Sequence, residues 1–197
     1  ALDYLGMGGG LGIPYASNET PPNPHAYGKV LAEVFHDLPL KLVFEPGRVI
    51  VGNAGVLLSR VIRRKKGEKR NFIILDTAMN DLIRPSLYQA HHQLESVTKK
   101  PEGQIIADVV GPVCESADTF LEQVTIPNWQ TGDLIAIRSA GAYGFVMSST
   151  YNGRPRPPEV MCYGDKFQVI RARESYEDLW QNETTLSEHA LSALSGD

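Results

Sequence analysis

Cysteine is scarce: the 197 residues hold two, Cys114 and Cys162. They lie far apart and neither sits in a Cys-x-x-Cys pair. That argues against a disulfide scaffold or a zinc site and fits a reducing compartment, the cytoplasm. Positive charge is not in excess either. The 19 Lys and Arg stand against 23 Asp and Glu, a formal net charge of -4, which leaves no electrostatic footprint for nucleic acid. No apolar run approaches the roughly 20 residues needed to span a bilayer. The opening Ala1-Leu2-Asp3-Tyr4 has no basic stretch followed by an apolar one, so it does not read as a signal peptide. There is no internal repeat and no low-complexity tract. An initiator Met is also missing, and the apolar first residues run straight into a glycine cluster, as the middle of a protein would.

What is present is ordinary globular material. The apolar fraction of 42% supports a real core in one domain or in two pieces of domains. Residues 1–7 read as a buried strand ending at Gly8-Gly9-Gly10. Leu11 to Pro24 is loop, since Pro21-Pro22-Asn23-Pro24 rules out regular structure. Val30, Leu31, Val34, Phe35 and Leu38 fall at helical spacing and predict a helix over 25–37. Leu40 to Phe44 predicts a strand. Strand, glycine-rich loop, helix and strand make a βαβ unit. The style then changes to short strands, near 55–62, 71–76, 87–97, 104–110, 133–138, 158–163 and 166–173. A solvated charged turn spans Arg63 to Arg70. Short helices are expected near 79–83 and 143–149, and from Tyr176. The architecture is therefore α/β plus all-β. Residues 1–50 form the end of an α/β domain, and residues 51–197 form an antiparallel β-barrel or sandwich with short helices.

Several stretches carry polar chemistry. Gly8-Gly9-Gly10-Leu11-Gly12 follows a strand, where backbone N–H groups can approach a phosphate or simply make a tight turn. It does not open directly into a helix, which disfavours a Rossmann site. Glu45-Pro46-Gly47-Arg48 ends the next strand and reads either as a surface ion pair or as a carboxylate and a guanidinium serving a cofactor. Asn80 to Tyr88 offers Arg84 and Tyr88, and Gly141-Ala142-Tyr143-Gly144 sets a Tyr between small residues. In Gly111-Pro112-Val113-Cys114-Glu115-Ser116 a thiol and a carboxylate follow an apolar strand. A buried, inert cysteine is the plainer reading there. Cys162 lies in an apolar run and is expected in the core. His91 and His92, on a strand, would face opposite ways and share no metal.

Taken together and in this order, these stretches resemble the diaminopimelate decarboxylases, pyridoxal-phosphate enzymes of the alanine-racemase-like fold. Ser149 to Asn152, Pro157 to Val160 and Arg171 to Glu174 add to the likeness, which covers nearly the whole chain. It implies the last strands of a TIM-type (β/α)8 barrel followed by the C-terminal β domain. It further implies pyridoxal 5'-phosphate as cofactor and meso-diaminopimelate as substrate, decarboxylated to L-lysine. Gly8, Gly9, Gly10 and Gly47 would line the cofactor phosphate, with Arg48 nearby, and Glu45 would pair with the pyridine nitrogen. Arg48, Arg84 and Tyr88 would hold substrate carboxylate, and Tyr143 would touch both cofactor and substrate. Cys114 would be the proton donor and Glu115 would grip the distal ammonium. A homodimer with shared active sites would bring Cys114 and Glu115 to the opposite subunit.

Two departures stand against this likeness. Gly6 occupies a position where the family carries Asp or Asn. The family also anchors its cofactor on a lysine in a Tyr-Ala-x-Lys context, and no such segment is present. Ala26-Tyr27-Gly28-Lys29 comes nearest, but it lies after the glycine triplet and in the predicted helix. A barrel of eight strands needs about 250 residues, so the expectation is a C-terminal portion that is inactive alone. Two other readings remain. One is a related decarboxylase acting on arginine, ornithine or a carboxylated polyamine. The other is a non-catalytic split-gene or binding module.

Overall fold

The computed structural model describes residues 2–98 and 101–187. They form two compact units, divided between Ser148 and Ser149. Among the described residues no helix is long and apolar enough to cross a membrane.

The first unit begins with the expected βαβ element. Strand β1 (Tyr4–Gly8) pairs in parallel with β2 (Lys41–Phe44), and helix α1 (Pro24–Val34) makes the crossover. The helix starts where the sequence dictates. The Asn23 side chain accepts the Ala26 N–H at 2.8 Å, and Pro24 takes the first turn, where no intrahelical donor is required.

A short helix α2 (Arg48–Val51) leads into a second sheet. Its strands are β3 (Leu57–Lys66), β4 (Asn71–Leu75), β5 (Leu94–Ser96), β6 (Gln104–Val110), β7 (Thr119–Pro127) and β8 (Leu134–Ile137). Their order across this curled sheet is β5-β8-β3-β4-β6-β7. Alternation decides which face is buried. Along β3, Ser59 and Val61 are buried while Leu58, Arg60 and Ile62 are exposed. The core gathers Val61, Ile73, Leu75, Val109, Ile135 and Ile137 around Trp129. The Trp129 ring is fully buried and its indole N–H donates to Ser96 Oγ at 2.8 Å, so the polar edge is satisfied.

The sheet is mixed rather than antiparallel, because β4 and β6 run parallel. No hairpin can join parallel neighbours. The connection, residues 76–103, instead carries helix α3 (Arg84–Tyr88) and edge strand β5. The expected strand over 87–97 therefore shrinks to three residues. Residues 79–83 are not helical; α3 starts one residue later, with Pro85 in its first turn. The helix expected over 143–149 is a single 3-10 turn at Phe145–Met147. Strand β3 continues through the charged stretch to Lys66, paired with β4.

In the second unit β9 (Glu159–Tyr163) and β10 (Lys166–Arg171) form an antiparallel hairpin around Gly164-Asp165, with Gly164 at φ 60°. Arg156 donates to the Glu174 carboxylate from Nε at 2.7 Å and also from Nη2, and its backbone N–H donates at 2.8 Å. Helix α4 (Glu177–Trp180) follows. Cys162 is exposed on β9 and not in a core, because both faces of this two-stranded ribbon are open among the described residues.

Candidate active site

The C-terminal ends of β1 and β2 meet at a turn that only glycine can form. Gly8 and Gly10 have φ of 66° and 88°, and a Cβ on Gly9 would stand 2.4 Å from the Glu45 carbonyl oxygen. The Glu45 N–H donates to the Gly8 carbonyl at 2.9 Å. The amides of Gly9 and Gly10 have no protein acceptor among the described residues. Free amides in a glycine turn suit a phosphate. The Glu45 side chain is exposed beside this turn, and Gly47 and Arg48 follow it.

Arg48 joins a cluster of cations and aromatic rings. Its guanidinium carbon lies 5.8 Å from the centre of the Tyr15 ring and 5.5 Å from that of Tyr143. The guanidinium of Arg84 lies over the same two rings, at 4.8 and 6.0 Å. Arg84 is 6% exposed. Its Nη1 donates to the Tyr15 hydroxyl at 2.7 Å and to His92 Nε2 at 3.1 Å. No carboxylate pairs with it among the described residues. Burial holds His92 below its usual 6.5; its bond to the Arg138 carbonyl opposes this, and the Arg84 and His91 charges add to it.

Backbone contacts set Tyr143. The Ala140 N–H donates to the Gly55 carbonyl at 2.9 Å and the Gly141 N–H to the Gly52 carbonyl at 3.0 Å. A Cβ on Gly141 would stand 2.0 Å from the Val51 carbonyl oxygen. The segment after β8 is thereby fastened to the one after β2. Tyr143 itself has φ 60°, a strained value for a non-glycine residue that costs on the order of 1–3 kcal/mol and concentrates at functional sites.

The thiol turn is organised by one buried carboxylate. Asp118 Oδ2 accepts the Val113 N–H at 3.0 Å and Oδ1 the Met79 N–H at 2.7 Å. Its backbone carbonyl accepts the Gly111 N–H at 2.9 Å. A Cβ on Gly111 would stand 2.1 Å from that carboxylate, so glycine is obligatory. Cys114 projects from this turn into solvent. The Glu115 carboxylate accepts the Ala117 N–H at 3.2 Å, and Ser86 Oγ on α3 donates to the Ala117 carbonyl at 2.5 Å.

Of the residues singled out by sequence, Gly9 and Glu45 touch, and Arg48, Arg84 and Tyr143 converge. Cys114 and Tyr88 make no hydrogen bond or ring contact with that cluster among the described residues. Tyr88 is exposed on α3. His91 and His92 lie outside any strand, with His91 exposed and His92 buried. Three residues that complete the site, Tyr15, His92 and Asp118, carried no sequence signal strong enough to find them.

Comparison with known proteins places this arrangement. The sequence model described as "Pyridoxal-dependent decarboxylase, C-terminal sheet domain" matches residues 15–141. The chain belongs to the pyridoxal-dependent decarboxylase family. Among curated members, diaminopimelate decarboxylase of Zymomonas mobilis is 48% identical over 93% of this chain and 44% of that protein. That of Vibrio cholerae is 48% identical over 95% of this chain and 45% of that protein. Among solved structures, Helicobacter pylori diaminopimelate decarboxylase complexed with L-lysine superposes at TM-score 0.84 with 43% identity. It matches over 92% of this chain and 44% of that one. The chain spans less than half the length of these decarboxylases.

Proposed function

We propose that this chain is the C-terminal portion of an enzyme that decarboxylates meso-diaminopimelate to L-lysine with pyridoxal 5'-phosphate. The observation that carries the reading is Arg84. It is a nearly buried guanidinium that meets only neutral acceptors, and it stands next to Arg48 and Tyr143. A buried cation without a counter-ion is costly, and an anionic ligand removes that cost. The curated relatives named diaminopimelate decarboxylase and the H. pylori structure with L-lysine support this substrate and product.

The cofactor supplies an electron sink for the pair left behind when carbon dioxide departs. The free amides of Gly9 and Gly10, with Gly8 and Gly47, fit its phosphate, with Arg48 alongside. Glu45 would pair with the cofactor's ring nitrogen. Arg48, Arg84 and Tyr88 would bind substrate carboxylate, Tyr143 would touch cofactor and substrate, and Glu115 would hold the distal ammonium. Cys114 Sγ delivers a proton to the α-carbon. We further assign residues 1–50, on their parallel β1–β2 pair and helical crossover, to the end of a (β/α)8 barrel. Residues 51–197 are assigned to the β domain. The enzyme is a cytoplasmic homodimer in which Cys114 and Glu115 serve the partner's pocket, in keeping with two free thiols and an exposed Cys114.

A lysine/ornithine decarboxylase of Vibrio vulnificus superposes over 77% of this chain at TM-score 0.67 and 25% identity, so a related amino acid is the second reading. A substrate panel on the intact protein decides between them: turnover of diaminopimelate and not ornithine is expected, and the reverse would reject the first reading. Cys114→Ala in that protein should slow product formation severely while sparing cofactor binding. Near-normal turnover would remove Cys114 from the proton-donor role.

A further inference from the structure

The chemistry of its partners fixes the protonation of His92. Nδ1 lies 2.9 Å from the Arg138 carbonyl oxygen, which can only accept, so Nδ1 carries the hydrogen. Nε2 lies 3.1 Å from Arg84 Nη1, which can only donate, so Nε2 presents a lone pair. The ring is neutral and locked in one tautomer, 1% exposed, with the Tyr15 ring set edge-on to it at 5.2 Å and 79°.

This lock determines what Arg84 has left to offer. Both Nη1 hydrogens are taken, one by the Tyr15 hydroxyl at 2.7 Å and one by His92. Among the described residues the Arg84 side chain makes no other hydrogen bond, and no buried side-chain nitrogen or oxygen lacks a partner. Nη2 and Nε therefore reach solvent, and they form the flat fork that matches a carboxylate. Pinning Nη1 at two points fixes the plane and direction of that fork.

We propose that His92, held as the Nδ1–H tautomer by the Arg138 carbonyl, is the positioning residue that aims the Nη2–Nε fork of Arg84 at the substrate carboxylate. The proposal rests on Arg84 binding that carboxylate, as set out above. The imidazole acts as a donor to the backbone and an acceptor for the guanidinium, a pairing no aliphatic side chain reproduces.

The test uses the intact decarboxylase. His92→Ala should raise KM for diaminopimelate about tenfold or more, the scale of losing a hydrogen bond to a charged group. It should change kcat and cofactor content little. His92→Gln, which restores an acceptor toward Nη1, should recover most of the loss. Arg84→Gln serves as the control. If Arg84→Gln raises KM and His92→Ala does not, the positioning role is overturned. If Arg84→Gln leaves KM unchanged, the carboxylate-binding reading falls and the proposal with it. Nitrogen-15 spectra of labelled histidines in the unsubstituted protein add a measurement that no folding defect can obscure. The Nδ1–H tautomer at neutral pH is expected, and an Nε2–H or doubly protonated ring overturns the proposal.

Discussion

The Met79 amide donates to Asp118 Oδ1 at 2.7 Å across 39 residues of sequence. That bond ties the segment carrying Arg84 to the turn carrying Cys114. The same carboxylate holds the Val113 N–H on its other oxygen, so one buried side chain sets both halves of the loop surface. Asp118→Ala would leave those two part-buried donors without their acceptor, and a fully buried donor left so costs about 1–3 kcal/mol. Urea unfolding should show a loss of about 2–4 kcal/mol by the same principle. Faster hydrogen exchange should be confined first to the Met79 and Val113 amides; unchanged protection there would dissociate Asp118 from the turn.

Gly9→Ala tests the turn at the end of β1. The added methyl meets the Glu45 carbonyl oxygen, and the strand ends must separate to admit it. We expect a stability loss of about 1–3 kcal/mol, the range for backbone strain at a tight site. In the intact enzyme, faster loss of the cofactor on dialysis should follow. Cofactor retention equal to that of the unsubstituted protein would argue against the glycine turn as its phosphate site.

His92 predicts a pH response. Its native pKa lies below 6.5, so between the native and unfolded values the unfolded chain binds more protons. Stability is then complete above about 6.5 and declines as pH falls toward the native value. His92→Gln should flatten this part of the profile. An unaltered slope in denaturation midpoints between neutral and mildly acidic pH would contradict it.

Glu174 gives a second, more acidic response in the other unit. The hydrogen bonds and charge of Arg156 hold its carboxyl below 4.5. Its contribution is present above that value and is lost as pH falls through the lower native one. The partners are partly exposed, and such pairs contribute about 1 kcal/mol or less. Glu174→Gln should therefore shift stability near neutral pH only slightly. Its effect should vanish in strong acid, and a constant difference at every pH would rule out the ion pair as its source.

The parts legible in the sequence were those set by short-range chemistry. The Asn23-Pro24 start of α1 and the alternation in β3 follow from neighbouring residues, as do the turns at Gly8–Gly10 and Gly164. Strand β7 was missed because Glu122 and Gln123 interrupt its apolar pattern. The structure explains why: Gln123 sits at φ 48° and both its amides donate to Asp108, a local irregularity that breaks the alternation. Arg84 and Tyr143 stood out by residue type and company. Tyr15 and His92 did not, since Tyr15 meets Arg84 across 69 residues and His92 meets the Arg138 carbonyl across 46. No local pattern encodes such pairings. Cys162 misled for a related reason: an apolar strand reads as core whether or not anything lies over it.

The parallel pairing of β4 with β6 also sets how far the chain must travel between them. Chain leaving β4 travels to the far edge of the sheet, where β5 pairs with β8, and then returns to lie beside β4. Arg84 and His92 ride on that excursion. Pairing elements this far apart in sequence costs loop-closure entropy before the contacts form. The Arg138 carbonyl that fixes the His92 ring directly follows β8, so that bond needs β8 in its place beside β3. The Arg84–His92–Arg138 arrangement is therefore complete only when the sheet is.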